Sequence, residues 1–355
     1  MSSDTVAVIG GGPGGLRAAQ GIADIGHKVV LVEKQRYLGG SPITQKYYGL
    51  TPRGEPAQPQ IQQQIDLVVA NPLAEVRLGT EVVAVEGEAG AFTITLRTEA
   101  ARDETFECGA IIIATGFSHF DPGRSTQMYG YFEFPDVITQ PDLEAMLSEQ
   151  RVLRPSNGEV PERICFIQCV GSRDRQIGNE YCSKVCCGVA SKEATELREM
   201  LPDSKVLIFY IDMRMYGYWE NEIYWPAQEK HHIQYVKGLI TEVLPKGDRL
   251  LVRGEDTTMG RPMEVLMDLV VLSVGMEPSP GTRDLARLAG VRQNKYGFID
   301  APGTPLDPVS TDREGVFACG AALGPADLED TVSSAAGAAM KAVGYVRSRA
   351  VAKAN

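Results

Sequence analysis

The run TVAVIG (residues 5–10), continued at once by Gly11-Gly12-Pro13-Gly14-Gly15 and LRAAQGIADIG, restricts the fold of this chain more than any other segment. A short β-branched strand, a G-x-G-x-x-G turn and a helix, in that order, begin a βαβ dinucleotide-binding unit. Gly10 permits the tight turn, Gly12 lets the backbone approach a pyrophosphate, and Gly15 lets helix and strand pack closely. The helix N-terminus offers free N–H groups and a partial positive charge to phosphates. A second strand, KVVLVE (residues 28–33), ends in Glu33, eighteen residues beyond Gly15. That carboxylate suits the two hydroxyls of an adenosine ribose and repels a 2′-phosphate. A glycine-rich turn without a ligand is the alternative, and the complete strand–turn–helix–strand–acid order argues against it.

Later segments decide between FAD and NAD. ECGAIIIATG (residues 107–116) reads as a buried strand ending in Ala114-Thr115-Gly116. Near the C-terminus a strand at residues 316–318 leads to Cys319-Gly320 and then to a small-residue helix from about Thr331. The strand-then-ATG and the late G-V-F-x-x-G resemble the FAD-binding domain of flavoproteins with two dinucleotide domains. In that resemblance the last helix points its N-terminus at the flavin pyrimidine ring, where a helix dipole stabilises the negative charge of the reduced form. The late segment alone reads equally well as an ordinary strand–helix unit; joined to the N-terminal fingerprint, it favours FAD.

A second unit of the same pattern is inserted in the first. RICFIQCV (residues 163–170) reads as its first strand, GVASKEATELREML as its helix and KVLIFYIDM (residues 205–213) as its second strand. Further strands are expected at IQYVKGLITEVL, RLLVRGED and MEVLMDLVVLSVG. The expected architecture is α/β, with two Rossmann-like domains of the thioredoxin-reductase and glutathione-reductase kind. Residues 1–125 and 295–355 would form the FAD domain, and residues 126–294 the inserted one. The turn after the inserted first strand reads C-V-G-S-R-D, without the glycines a pyridine nucleotide requires.

Thiols gather there instead. Cys169, Cys182, Cys186 and Cys187 read C-x12-C-x3-C-C, so four of the seven cysteines fall within nineteen residues. Four is the number of thiolates that hold a [4Fe–4S] cluster. Cys186 and Cys187 are expected to open the helix, whose dipole favours thiolate. Structural zinc remains an alternative, although zinc ligands usually pair as C-x2-4-C. A redox disulfide at Cys182 and Cys186 is another, and it leaves two thiols idle. Adjacent ligands to one cube require an unusual backbone, so one of the four thiols is a candidate bystander. Cys108, Cys165 and Cys319 read as small packing residues. His27, His119, His231 and His232 show no ligand spacing, and the last two are expected to face solvent.

Composition narrows the partners. Hydrophobic residues make up 43% and charged residues 23% of the 355, and the net charge is −11. Without a dense basic block, nucleic acid and anionic membranes are poor partners. The N-terminus shows no signal-peptide pattern, and no apolar run approaches the roughly 18 residues of a membrane span. A cytoplasmic location is expected, where clustered cysteines favour thiolate chemistry over disulfides.

IQCVGSRD, NEYCSKVCC, FYIDMR, DLVVLSVGMEP and VFACGAALGPADLEDTVSSA together resemble the HdrA family of heterodisulfide reductase subunits, and the likeness runs through nearly the whole chain. The resemblance implies FAD, a [4Fe–4S] cluster on Cys169, Cys182, Cys186 and Cys187, and a homodimer within a larger complex. It also implies that Lys192 approaches flavin N5; the bland alternative is a solvated helix lysine. The candidate FAD-binding set is Gly10, Gly12, Pro13, Gly14, Gly15, Glu33, Lys34, Gly40, Ser41, Val82, Ala114, Thr115, Gly116, Gly320, Ala321, Thr331 and Val332. The long family members carry a C-x2-C-x2-C-x3-C-P run that this sequence lacks. Their appended ferredoxin domains, and electron bifurcation with them, are therefore not expected here. Short forms resemble the HdrA-like members of heterodisulfide reductase-like complexes in sulfur oxidisers, and then those of quinone-interacting complexes. The rival readings are a stand-alone NAD(P)H:disulfide oxidoreductase and a zinc-stabilised flavoprotein scaffold.

Overall fold

The computed structural model describes residues 4–98, 100–301 and 305–354. They divide into two compact units, one of Met1–Thr44, Pro59–Ser118 and Glu277–Asn355, the other of Gln45–Gln58 and His119–Met276.

The first unit is built on a five-stranded parallel sheet. Its order is Val316–Ala318, Ala110–Ile113, Val6–Ile9, Val29–Val32, Ala74–Arg77. Both faces are covered, so four of the strands are continuously apolar and buried, as inner parallel strands must be; the edge strand Ala74–Arg77 alternates instead. Val6, Val8, Val29, Leu31 and Ile112 face one way, onto Leu16, Ala19 and Ile22 of helix Pro13–Asp24 and Ala335, Ala339 and Val343 of helix Leu328–Ala354. Ala7, Ile9, Val30, Ile111 and Ile113 face the other way, onto Phe92, Ile94 and Leu96 and onto Leu285 and Ala286 of helix Pro280–Leu288. The run at residues 107–116 is two strands rather than one. Asp103–Cys108 closes a three-stranded antiparallel meander, and Ala110–Ile113 enters the parallel sheet.

The second unit carries a seven-stranded sheet in the order Val137–Thr139, Leu269–Val274, Arg163–Val170, Lys205–Tyr210, Gln234–Lys246, Arg249–Asp256, Arg261–Met267. The first five are parallel; the last two add an antiparallel meander. The run MEVLMDLVVLSVG is divided at Asp268, whose carboxylate accepts the N–H groups of Glu162 and Arg163, both at 2.9 Å. Its halves lie at opposite sides of the sheet. Helices Gln140–Ser148 and Cys186–Met200 cover one face through Leu143, Leu147, Ala190, Ala194 and Leu197.

The unit boundaries differ from the sequence expectation of 126–294. Helix Pro280–Leu288 belongs with the first unit, because its N-cap Ser279 donates to the Thr115 carbonyl at 3.0 Å and Thr282 Oγ1 lies 2.6 Å from Thr115 Oγ1. Residues 45–58 belong with the second: Tyr48 N–H donates to Glu144 at 2.7 Å, and Lys192 donates to the Gly49 carbonyl at 2.9 Å. No helix among the described residues is long and apolar enough to cross a membrane.

Candidate functional sites

In the first unit the chain passes from the central strand to its neighbours on opposite sides, and such a switch point opens a crevice at the strands' carboxyl ends. The glycine turn sits there. Gly10 has φ +114°, and a Cβ on it would lie 2.3 Å from the Ala114 carbonyl oxygen. A Cβ on Gly15 would lie 1.7 Å from the Gly10 carbonyl oxygen, so only glycine lets this helix rest on this strand. Gly12 differs: a Cβ there meets nothing nearer than Gly40 Cα at 3.7 Å. Its neighbourhood is open, as a backbone that meets a pyrophosphate requires. Pro13 occupies the first helical turn. Gly40, at φ +60°, backs onto Gly12, and Ser41 begins the one-turn helix Ser41–Thr44.

Glu33 follows strand Val29–Val32. Its Oε2 accepts Gly11 N–H at 2.6 Å and its Oε1 accepts Gln35 N–H at 2.8 Å. An ionised carboxylate has about four lone-pair sites, so two remain for ribose hydroxyls. A cleft of about 90 Å³ opens beside it, lined by Gly10, Glu33, Lys34, Val82 and Thr115 among others. These residues, drawn from separate parts of the sequence, thus share one cavity. Ala114 is buried, and Gly116 takes φ +67° without crowding.

Thr331 packs on the other side of the glycine turn. Its Cγ2 would lie 3.1 Å from a Cβ on Gly14 and 2.8 Å from one on Gly320, which has φ +60°. The last helix begins at Leu328, a turn earlier than expected, because Asp327 and Asp330 form a reciprocal cap: Asp330 N–H donates to Asp327 Oδ1 at 2.7 Å and Asp327 N–H to Asp330 Oδ2 at 3.3 Å. Thr331 N–H is bound by the Asp327 carbonyl at 3.0 Å. Val332 is half-buried beside it and Ala321 is buried. Cys319 is buried, and burial pushes its thiol up to about 12. The residues fit a dinucleotide: an open backbone approach, a ribose acid and a shaped cleft.

In the second unit the switch point falls beside strand Arg163–Val170, and the cysteine loop leaves from its carboxyl end. The ladder shifts register between Ile167 and Val170, and Cys169 has φ +63°. Arg173 (φ +58°) and Lys184 (φ +64°) also take left-handed backbone. Non-glycine residues pay for this conformation, and such strain concentrates at functional sites. The loop is held by Arg173 N–H to the Tyr181 carbonyl at 2.9 Å, Asn179 Nδ2 to the Gly171 carbonyl at 3.0 Å and Tyr181 hydroxyl to the Met276 carbonyl at 2.8 Å. Helix Cys186–Met200 then starts on two adjacent, buried cysteines.

Burial pushes Cys186 well above its ordinary value, with further contributions from Cys187, Cys169 and Cys182. It raises Cys187 to about 11, where Cys169 and Cys182 also contribute. Cys169 is raised by burial and opposed by Arg173, whose Nη1 lies 4.0 Å from its sulfur. The four sulfurs are therefore electrostatic neighbours. Burial is the largest cause at both thiols of the helix start and favours their neutral form; a bound cation would favour the thiolates. All seven cysteines are free. Among the described residues, no three His, Cys, Asp or Glu side chains converge as ligands of one ion do. By chemistry the donor set suits a thiolate-held cluster, and a four-iron cube is wider than a single ion.

Phe120 packs on the altered nucleotide turn. A Cβ on Gly171, at φ +77°, would lie 2.0 Å from its ring, so an aromatic side chain covers the turn. Arg173 pairs with Asp212, which follows strand Lys205–Tyr210 and also meets Arg214 at 3.4 Å.

Lys192 is not a solvated lysine. It is 5% exposed, and its Nζ lies 2.6 Å from Glu144 Oε1 and 3.4 Å from Glu196 Oε2. Burial pulls its pKa down, but Glu144, Glu196 and Glu193 outweigh it and hold the ammonium above its ordinary value. Glu144 was missed by sequence reading and carries no local signal. Glu196, four residues on, is the one partner helical spacing can reveal. His232 is exposed, whereas His231 is half-buried and 3.9 Å from Glu199.

Residues 4–153 match the pyridine nucleotide-disulphide oxidoreductase family. The A subunit of a ferredoxin:CoB-CoM heterodisulfide reductase from Methanosarcina acetivorans is 30% identical over 96% of this chain and 56% of its own length. The iron-sulfur A subunit of a CoB–CoM heterodisulfide reductase from Methanocaldococcus jannaschii is 30% identical over 94% of this chain and 63% of its own. The A subunit of an H(2):CoB-CoM heterodisulfide,ferredoxin reductase from Methanothermobacter marburgensis is 41% identical over 66% of this chain and 37% of its own. The chain thus spans between about a third and two thirds of these relatives' lengths. Among solved structures, T. acidophilum thioredoxin reductase (TM-score 0.63, 19% identity) and Lactococcus lactis thioredoxin reductase (TM-score 0.64, 17% identity) each cover 98% of this chain and match over 100% of their own. That likeness establishes the fold.

Proposed function

Because this chain belongs to the HdrA family of flavin-dependent heterodisulfide reductase subunits, we propose that it is an FAD- and [4Fe–4S]-containing electron-transfer component of a heterodisulfide reductase-like complex in the cytoplasm. One observation carries this reading. The first dinucleotide fold keeps its glycine turn, ribose acid and cleft, whereas four thiols stand at the corresponding turn of the second.

FAD, when bound, exchanges electrons in pairs or singly, and a four-iron cluster exchanges them one at a time. The chain's own residues bind and orient. Gly12 and the first turn of helix Pro13–Asp24 would take the pyrophosphate, and Glu33 the ribose. Lys34 and Val82 would line the adenosine cleft. Gly14, Gly320, Ala321, Thr331 and Val332 would border the isoalloxazine end. Cys169, Cys182, Cys186 and Cys187 would hold the cluster, with Arg173 placing positive charge beside Cys169. Lys192 holds a proton at Nζ in a water-poor site, and we assign it the role of proton donor to the flavin. Phe120 over Gly171 speaks against a pyridine nucleotide at the second turn, and so against a stand-alone NAD(P)H enzyme.

The protein would act as a homodimer and pass electrons between partner subunits that carry the thiol or disulfide chemistry. We favour a complex of sulfur oxidation. Co-purification with a quinone-reducing membrane protein would contradict that choice. Cys182→Ala tests the ligand assignment: iron is lost and FAD is kept. Wild-type iron content in that variant would remove Cys182 from the ligand set.

A further inference from the structure

Helix Cys186–Met200 and helix Gln140–Ser148 enclose more negative charge than they neutralise. Glu144, Glu193 and Glu196 are 3%, 0% and 8% exposed, and among the described residues Lys192 is the cation paired with Glu144 and Glu196. Glu144 is fully engaged, by Lys192 at 2.6 Å and by Tyr48 N–H at 2.7 Å. Glu193 Oε2 accepts from Gln140 Nε2 at 3.1 Å, but its Oε1 has no hydrogen-bond partner. Glu196 Oε1 also lacks one, and Oε2 has only the 3.4 Å ion pair with Lys192. Tyr47 faces Glu144 and Glu193, and Glu199 faces Glu196 from the exposed side of the helix.

Three carboxylates around one ammonium cannot all stay ionised out of water. Carboxyl oxygens left without donors mark where protons reside. We propose that Glu193 and Glu196 form a buried proton store for Lys192, with Glu193 a standing neutral acid and Glu196 the group that exchanges its proton. The role in recharging Lys192 rests on the function proposed above; the proton store itself does not. The exchange balances: once Lys192 has given up a proton, the Glu196 O–H transfers its proton to the neutral amine. Ammonium and Glu196 carboxylate result, and Glu196 regains a proton from solvent on the Glu199 side. Electrostatics agree with this division. Burial, then Glu144, pushes Glu193 well up, while for Glu196 burial outweighs Lys192 and leaves it at about 7.

Infrared spectra of the holoprotein from about pH 5 to about pH 9 read protonated carboxylic acids by their carbonyl stretch. The wild type should show a buried-acid band that persists across this range and a second that vanishes around neutral pH. Glu193→Gln should lose the first and Glu196→Gln the second. Spectra unchanged in both variants would overturn the proposal. Should Glu193→Gln fail to fold, Glu196→Gln decides alone, since the titrating band is assigned to Glu196. Iron and FAD are measured on the same sample. Both bands in a protein without iron would sink the electron-carrier reading and leave the proton store standing.

Discussion

Gly12 and Gly15 stand three residues apart and are glycine for different reasons. Gly15 is demanded by the fold, because its Cβ would overlap the Gly10 carbonyl. Gly12 is not demanded by the fold, because its Cβ would meet nothing nearer than Gly40 Cα at 3.7 Å; under the proposed function it is glycine for the pyrophosphate. Substitution by alanine should separate the two. Gly15→Ala should cost about 1–3 kcal/mol of stability, as overpacking does, and lower Tm together with FAD content. Gly12→Ala should leave Tm of the FAD-free protein near wild type and still lose most of the FAD. A Gly12→Ala protein with full FAD content would refute the pyrophosphate assignment. This contrast was legible in the sequence, since the steric demands of a βαβ turn are local. Lys192 was named from the resemblance, but its buried ion pair was not legible, because its closest partner, Glu144, lies 48 positions away.

Helix Cys186–Met200 combines two environments. Its first turn carries buried thiols, whose neutral form burial favours, and its second and third turns carry the Lys192 cluster. The sequence placed the helix start correctly but supplied only the dipole. The opposing desolvation comes from packing onto strands far away in the chain. A pH dependence follows from Glu196. Its folded pKa of about 7 lies above its ordinary 4.5, so through that window the native state binds more protons than the unfolded chain. Stability contributed by this group is therefore full below about pH 4.5 and declines as pH rises through 7. Urea unfolding should find Glu196→Gln more stable than wild type at about pH 8, by up to about 3 kcal/mol. The difference should be far smaller at about pH 4.5. Parallel stability profiles would show that Glu196 is not perturbed. The division of the 263–275 run at Asp268 was likewise hidden, because an apolar stretch does not announce which position in the sheet each half will take.

At the scale of the molecule, two dinucleotide folds carry turns of different chemistry. Both sheets place a turn at a switch point, where the fold presents ligands. One turn is glycine and open; the other is strained, covered by Phe120 and rich in sulfur. The repeated strand–helix pattern and the cysteine spacing were visible from sequence alone. The exact partition was not, since residues 45–58 join the second unit through side-chain bonds and helix Pro280–Leu288 joins the first through its cap. Whether flavin and an iron–sulfur cluster share this chain is decided by an anaerobic visible spectrum, with iron, sulfide and zinc analysis of the same sample. Flavin bands over broad iron–sulfur absorption are expected, with about four irons and four sulfides per chain. Flavin without iron, or zinc in its place, would overturn the two-centre reading.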